Sequence, residues 1–487
     1  MGQSFYFYDL ETSGFNPRTN RIMQFAGQRT DMELRPLGKP DNILVKLSSD
    51  ILPEPDAVLV HGITPQKAAD EGLSEAEFLK TFSSKIAKPE TIMTGFNNIR
   101  FDDEFMRFCL WRNFYDAYEW QWKDDSSKWD LLDVVRMTRA LRPEGINWPF
   151  DPEGKPSNRL EYLSSVNKLN HSAVHDAESD VQAVIGIARL LKAKQPKLFD
   201  YLLKLRDKNK VAVLLGGGEP FVYTSGRYPS DFHKTTIAVA AAIHPDGRGA
   251  FVYDLRIDPE PYLKMSAEEL AELWQASFFR PKEDEDRPNF PIKLLAYNRC
   301  PAVAPLGTLD KASTRRLKIN MSEVEKHLKS LKKDEKFEHK IVKVDELLRP
   351  KEQPKLVLDE QQVDGQLYDG FVSSIDKSKM SVVRAAGEKE LSRLTIDFGD
   401  ERLKLLLPLY KARNFSASLS ADEQKWWKEF RQLKLLSGGN ASLATRYFKR
   451  IEELVKTAGP GSRKRHLLEE LKLYGQAVVP VKNKLQV

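Results

Sequence analysis

Positions 5–14 read FYFYDLETSG, and this stretch constrains the fold more than any other part of the chain. Side chains alternate across a strand, so Phe5, Phe7, Asp9 and Glu11 share one face, while Tyr6, Tyr8 and Leu10 share the other. Both faces begin apolar. A strand apolar on both sides belongs in the middle of an α/β sheet, covered above and below. Yet it ends in two carboxylates one residue apart, on the same face. They repel each other, and burying them is costly unless positive charge meets them.

The rest of the chain places this strand in a larger plan. At 487 residues it exceeds what one core organises, so two to four domains are expected. Residues 1–195 alternate strand and helix signals. A second strand over 21–30 pairs with the first, 91–96 is a short buried strand, and 75–86, 103–112 and 129–140 are helical. Apolar residues at 177, 181, 184, 185, 188 and 191 mark a further helix. Residues 196–348 read as a β-rich domain with added helices, with strands over 210–215, 236–242 and 250–255 and a lysine-rich helix near 322–333. The stretch RPKEQPK at 349–355 is a linker into a helical domain over 349–487, where Gly459 and Pro460 close one helix and Ser462 caps the next.

Two cysteines, Cys109 and Cys300, give neither a disulfide framework nor zinc spacing, which predicts a reducing, cytoplasmic setting. No apolar run reaches the length of a membrane span and no signal peptide is evident, so no membrane is expected. The net charge of +6 is compatible with a polyanion partner, but scattered surface lysines account for it equally well.

Three separated acidic clusters give the opening pair its context. One acid-x-acid pair alone means little among 70 acidic residues. In GFNNIRFDDEF, Asp102 and Asp103 open a helix, where acids also serve as caps. In HDAESD, His175 precedes a helix whose first turn holds Asp180. If Asp9, Glu11, Asp102 and Asp180 converge, four carboxylates without cysteine suit a hard cation held by oxygen, Mg²⁺ or Mn²⁺. Two such ions can clamp the attacking and leaving oxygens of a phosphodiester.

D-x-E-T-x-G, N-x-x-x-F-D and H-x-x-x-x-D together resemble the DEDDh exonuclease superfamily, in its histidine subtype. Longer stretches, GFNNIRFDDE, WRNFYDAY, KWDLLDVVR, LRPEGINWP, NRCP and YKARNF, are similar to the bacterial exodeoxyribonuclease I family over nearly the whole chain. The resemblance implies an α/β, RNase H-like exonuclease domain, then an SH3-like β-rich domain and a C-terminal helical domain. It implies processive 3′-to-5′ hydrolysis of single-stranded DNA to nucleoside 5′-monophosphates, in DNA repair and recombination. Asp9, Glu11 and Asp180 would bind two Mg²⁺ ions, with Mn²⁺ able to substitute. Asp102 would hold the second metal, and His175 would be the general base. Glu11 would also meet the substrate.

Tyr118 and Trp122 are expected to stack on bases, with Trp129 a core anchor at a helix start. Arg107, Arg136, Arg142 and Arg159 are the phosphate candidates. The family's partners are single-stranded DNA and the acidic C-terminal tail of single-stranded-DNA-binding protein, bound by a monomer. Two other readings share the acids: an RNA 3′-exonuclease of the same superfamily, and an idle single-strand-binding protein.

Overall fold

The computed structural model describes residues 2–169, 177–278, 290–349 and 358–480. The expected linker at 349–355 and His175 therefore lie largely or wholly outside the described residues.

Five strands, β1 (Ser4–Thr12), β2 (Ile22–Thr30), β3 (Asp41–Leu44), β4 (Thr91–Gly95) and β5 (Ser127–Asp130), form the first sheet in the order β3-β2-β1-β4-β5. The first strand is central, as its two apolar faces require. It runs antiparallel to β2, with Asp9 opposite Ala26 and Glu11 opposite Gln24, and parallel to β4. Its faces enter different cores. Phe5 and Phe7 pack with Trp129, Val135 and Val184, while Tyr6, Tyr8 and Leu10 pack with Phe25, Phe78 and Phe82. Helix Ala177–Lys194 lies on β1 and β2 on the Phe5 side, which is the side of Asp9 and Glu11.

The second sheet joins β6 (Phe221–Thr224), β7 (Thr235–Ile243), β8 (Gly249–Asp254), β9 (Ile292–Ala296) and β10 (Ala302–Pro305) in the order β10-β6-β7-β8-β9, antiparallel throughout. Its core is continuous with the Phe5 face of the first sheet, through helices Pro196–Lys204 and Lys208–Gly216. That second helix corrects the strand expected over 210–215. The run VAVLL suits either state, and the Asp207 side chain, accepting from the Asn209 amide, starts a helix there. Trp129 is a buried core anchor as expected. It lies in β5, one residue before its end, instead of opening a helix, and meets Phe199 edge-on at 5.1 Å between ring centroids.

Among the described residues beyond 357 every regular element is helical. Ser462 caps helix Arg463–Val478 by accepting from the Arg465 amide. This region has its own core, built around Leu403, Leu406, Trp427 and Phe430, and it also takes in Phe108, Trp111 and Phe114. Helix Asp102–Arg112 is therefore apolar on two sides. Phe105, Met106 and Cys109 face the first sheet, while Phe108 and Trp111 face the C-terminal helices.

Candidate active site

Asp9 and Glu11 stand half-buried on one face at the end of β1. Asp180 comes to them because its helix starts over that face. Carboxylate oxygens of Asp9, Glu11 and Asp180 lie within 4.8 Å of one another. Three hard oxygen donors at that spacing fit a divalent cation of the Mg²⁺ class.

Asp102 reaches the same strand from the other side. It is the first residue of its helix, whose N-cap position is held by Phe101. The Asp102 Oδ1 accepts the Leu10 amide at 3.2 Å, between the positions of Asp9 and Glu11 in β1. Burial, reinforced by the neighbouring Asp103 carboxylate, pushes the Asp102 carboxyl well above the usual carboxylate range. Asp103 is a buttress. It accepts the Tyr8 hydroxyl and the Gln121 amide, each at 2.5 Å. Asp130, which no sequence signal singled out, accepts the amides of Asn97, Ile99 and Leu132. Burial, then Asp133, pushes its carboxyl up to about 6.

The helix that starts at Asp102 continues as the wall of a cleft of about 1520 Å³. All three parts of the chain line it: Glu104, Arg107, Tyr118, Trp122, Lys128 and Arg136 from the first, Arg227 and Arg299 from the β domain, and Tyr368 from the C-terminal helices. Ten lysines and arginines face it against three carboxylates, a balance suited to a phosphate backbone. Trp122 is 63% exposed and Tyr118 39%, so both rings are available to stack, whereas Trp120 is buried against Tyr8 and Phe82. The Arg107 guanidinium sits 5.5 Å from the Tyr118 ring centre and donates to Gln121 at 2.8 Å. Arg136 donates to Asp133 at 2.6 Å, and Gly226 of the β domain closes over it: a Cβ there would stand 2.9 Å from Arg136 Nη1.

Arg142 and Arg159 do not line this cleft. Arg142 donates to the Thr308 carbonyl at 2.8 Å and faces Asp310 at 3.5 Å, so its donors tie the first domain to the β domain. Arg159 is largely exposed, 3.8 Å from Glu161. Lys204, Arg206, Lys208 and Lys210 line the cleft but were not named from sequence, although LKLRDKNK is a visible charge run. Arg299 lies in the NRCP motif.

The central strand carries metal-competent acids and the helix that starts at Asp102 walls a basic cleft, and residues 6–188 match the family model described as Exonuclease, which makes the first domain an exonuclease domain. The remainder matches in the same order, 206–346 with the Exonuclease I SH3-like domain and 361–478 with the Exonuclease I C-terminal domain. The chain belongs to the exodeoxyribonuclease I family. It is 38% identical to exodeoxyribonuclease I of Escherichia coli K12, over 98% of both chains. The crystal structure of E. coli exonuclease I in complex with a dA16 oligonucleotide superposes with a TM-score of 0.91 at 38% identity, covering 98% of this chain and 100% of that one. A structure of SSB/exonuclease I in complex with the inhibitor CFAM gives a TM-score of 0.87 at 36% identity, covering 98% and 100%.

Proposed function

We propose that this chain is a 3′-to-5′ exonuclease that degrades single-stranded DNA processively to nucleoside 5′-monophosphates, in DNA repair and recombination. The observation that carries the reading is the convergence of Asp9, Glu11 and Asp180 at the end of β1, together with a basic, aromatic cleft walled by the helix that starts at Asp102. The functional units are 1–195, 196–348 and 349–487.

Two Mg²⁺ ions, replaceable by Mn²⁺, are the proposed cofactors, with Asp9, Glu11 and Asp180 as the residues to hold them and Asp102 beside the second. When bound, the ions supply charge stabilisation to the phosphodiester and its leaving oxygen. His175 is the proposed general base that accepts the proton of the attacking water, the role an imidazole most often takes in such chemistry. Arg107 and Arg136 hold phosphates, and Tyr118 and Trp122 stack on bases. Glu11 and Arg159 as substrate contacts rest on the family resemblance, and Arg142, which also donates to the Thr308 carbonyl, is a further phosphate candidate. The proposed partner besides DNA is single-stranded-DNA-binding protein, through its acidic C-terminal tail, with the enzyme a cytoplasmic monomer. The SSB/exonuclease I structure among its relatives supports that pairing.

The test is incubation with 3′-labelled single-stranded DNA or RNA, in Mg²⁺ or EDTA. DNA is expected to yield labelled 5′-monophosphates in Mg²⁺ and to stay intact in EDTA. RNA digested as fast as DNA would move the assignment to an RNA exonuclease. DNA bound but never cut would make the chain a binding protein.

A further inference from the structure

A carboxylate is out of place in a track for phosphates. Of the three acids in the cleft, Asp207 caps helix Lys208–Gly216, and Asp125 sits in a left-handed turn with φ of +58°. Glu104 has neither task. It lies two residues beyond Asp102, and its carboxylate bridges two domains. One oxygen accepts from Arg107 Nη1 at 2.5 Å, and the other accepts the hydroxyl of Tyr368, 264 residues further along the chain. A cationic fork and a hydroxyl around one anionic group are also what a backbone phosphate attracts. The Arg107 side chain is otherwise fixed in place, by Gln121 and through it Asp103. Its buried Nε has no hydrogen-bond partner among the described residues. Tyr368 is 46% exposed and stands edge-on to Phe108, so its ring stays anchored when the hydroxyl changes partner.

We infer that Glu104 is a displaceable stand-in for a DNA phosphate: the arriving strand puts a phosphate on Arg107 and Tyr368, and the carboxylate swings away. The inference rests on the reading of the cleft as a single-stranded DNA track. This one tie between the first domain and the C-terminal helices, among the several that join them, is then exchanged for one that runs through the DNA. Because the carboxylate remains tethered beside the phosphate, it competes for the same donors at every register. No single register is held tightly, which is the condition for a strand that must advance after each cut.

A merely structural Glu104, there to aim Arg107, predicts the opposite sign, so the substitution Glu104→Gln is decisive. Fluorescence anisotropy with an oligo-dT in EDTA should show binding about fivefold tighter than for the unaltered protein, since a like charge leaves the phosphate track. In Mg²⁺ the KM on a long oligonucleotide should fall by a similar factor, with kcat falling less. Glu104→Ala should also tighten binding. Tyr368→Phe, which keeps the ring and removes the hydroxyl, should weaken binding and shrink the gain from Glu104→Gln when the two are combined. Unchanged or weaker binding by both Glu104 variants, in proteins that melt like the unaltered one, overturns the inference. If the unaltered protein fails to bind oligo-dT at all, the reading of the cleft fails first.

Discussion

Asp50 and Asp102 are both buried carboxylates, 1% and 4% exposed, and the protein treats them in opposite ways. Asp50 lies where the first domain meets the C-terminal helices. It accepts from Arg413 at 2.8 Å and Lys434 at 2.6 Å. Asp364 beside it takes Arg21 at 2.5 Å and Arg413 at 2.8 Å, and Glu75 takes Arg112 at 2.7 Å. Burial opposes ionisation of Asp50, but Arg413, Lys434 and Arg21 overcome it and hold its carboxyl well below the usual range. Asp364 is lowered in the same way, by Arg413 and then Arg21 against burial. At the candidate active site, burial and Asp103 drive Asp102 the other way. A joint between domains closes the charge of its carboxylates with arginine and lysine, whereas at the candidate active site burial and a neighbouring carboxylate oppose the charge of Asp102.

The sharpest way to break that contrast is to remove one carboxylate from each region. Asp9→Ala should lower kcat by more than about a thousandfold, the equivalent of several kcal/mol of transition-state stabilisation, while strand binding and melting temperature stay close to the original. A stability loss in place of the activity loss would erase the distinction.

Asp50→Ala should do the reverse. It strands Arg413 and Lys434 and should cost about 3–5 kcal/mol in urea unfolding, with the rate per folded molecule on a short oligonucleotide little changed. The depressed carboxyls also set a direction with pH. Their stabilisation is complete above the unfolded pKa near 4 and is lost as pH falls through their lower folded values, so the joint is the acid-labile part.

Asp130 provides a third, oppositely signed probe. Its folded pKa of about 6 exceeds the unfolded value. The native state therefore holds the extra proton between about pH 4 and 6, and stability falls as pH rises through that window. Asp130→Asn should remove about 2–3 kcal/mol of that fall, measured as the difference between the two unfolding curves across the window. An unchanged slope would show that this carboxyl is not held protonated. The smallest expected effect is on grip: Trp122→Ala should cost about 1–3 kcal/mol of affinity for single-stranded DNA, read by titration, without changing stability.

What the sequence revealed followed from local pattern. The central position of β1 and the split of its faces between two cores came from period-two alternation. The helix bearing Asp180 came from its apolar spacing. The strand assigned to 210–215 went wrong because five apolar residues in a row carry no period, and the Asp207 cap that decides the matter lies just ahead of them. The motif YKARNF was visible as a family mark. That its Arg413 links Asp50 to Asp364 was not, because those partners are 363 and 49 residues away. Glu104 and Tyr368 stayed hidden for the same reason, as did the bond from Arg142 to the Thr308 carbonyl, because a lone arginine does not name its acceptor.

The double-sided burial of β1 has a bearing on how heat should inactivate this molecule. Asp9 and Glu11 ride on a strand clamped by two cores, so their spacing persists until the first sheet itself melts. The opposite side of the cleft depends on separate helices, joined to the first domain by a shared apolar core around Phe108 and Trp111 and by the ion pairs of Asp50 and Asp364. On warming, endurance over long substrates should fade before the ability to clip short ones, and the loss of stamina would report the loosening of one wall while the chemical centre is still intact.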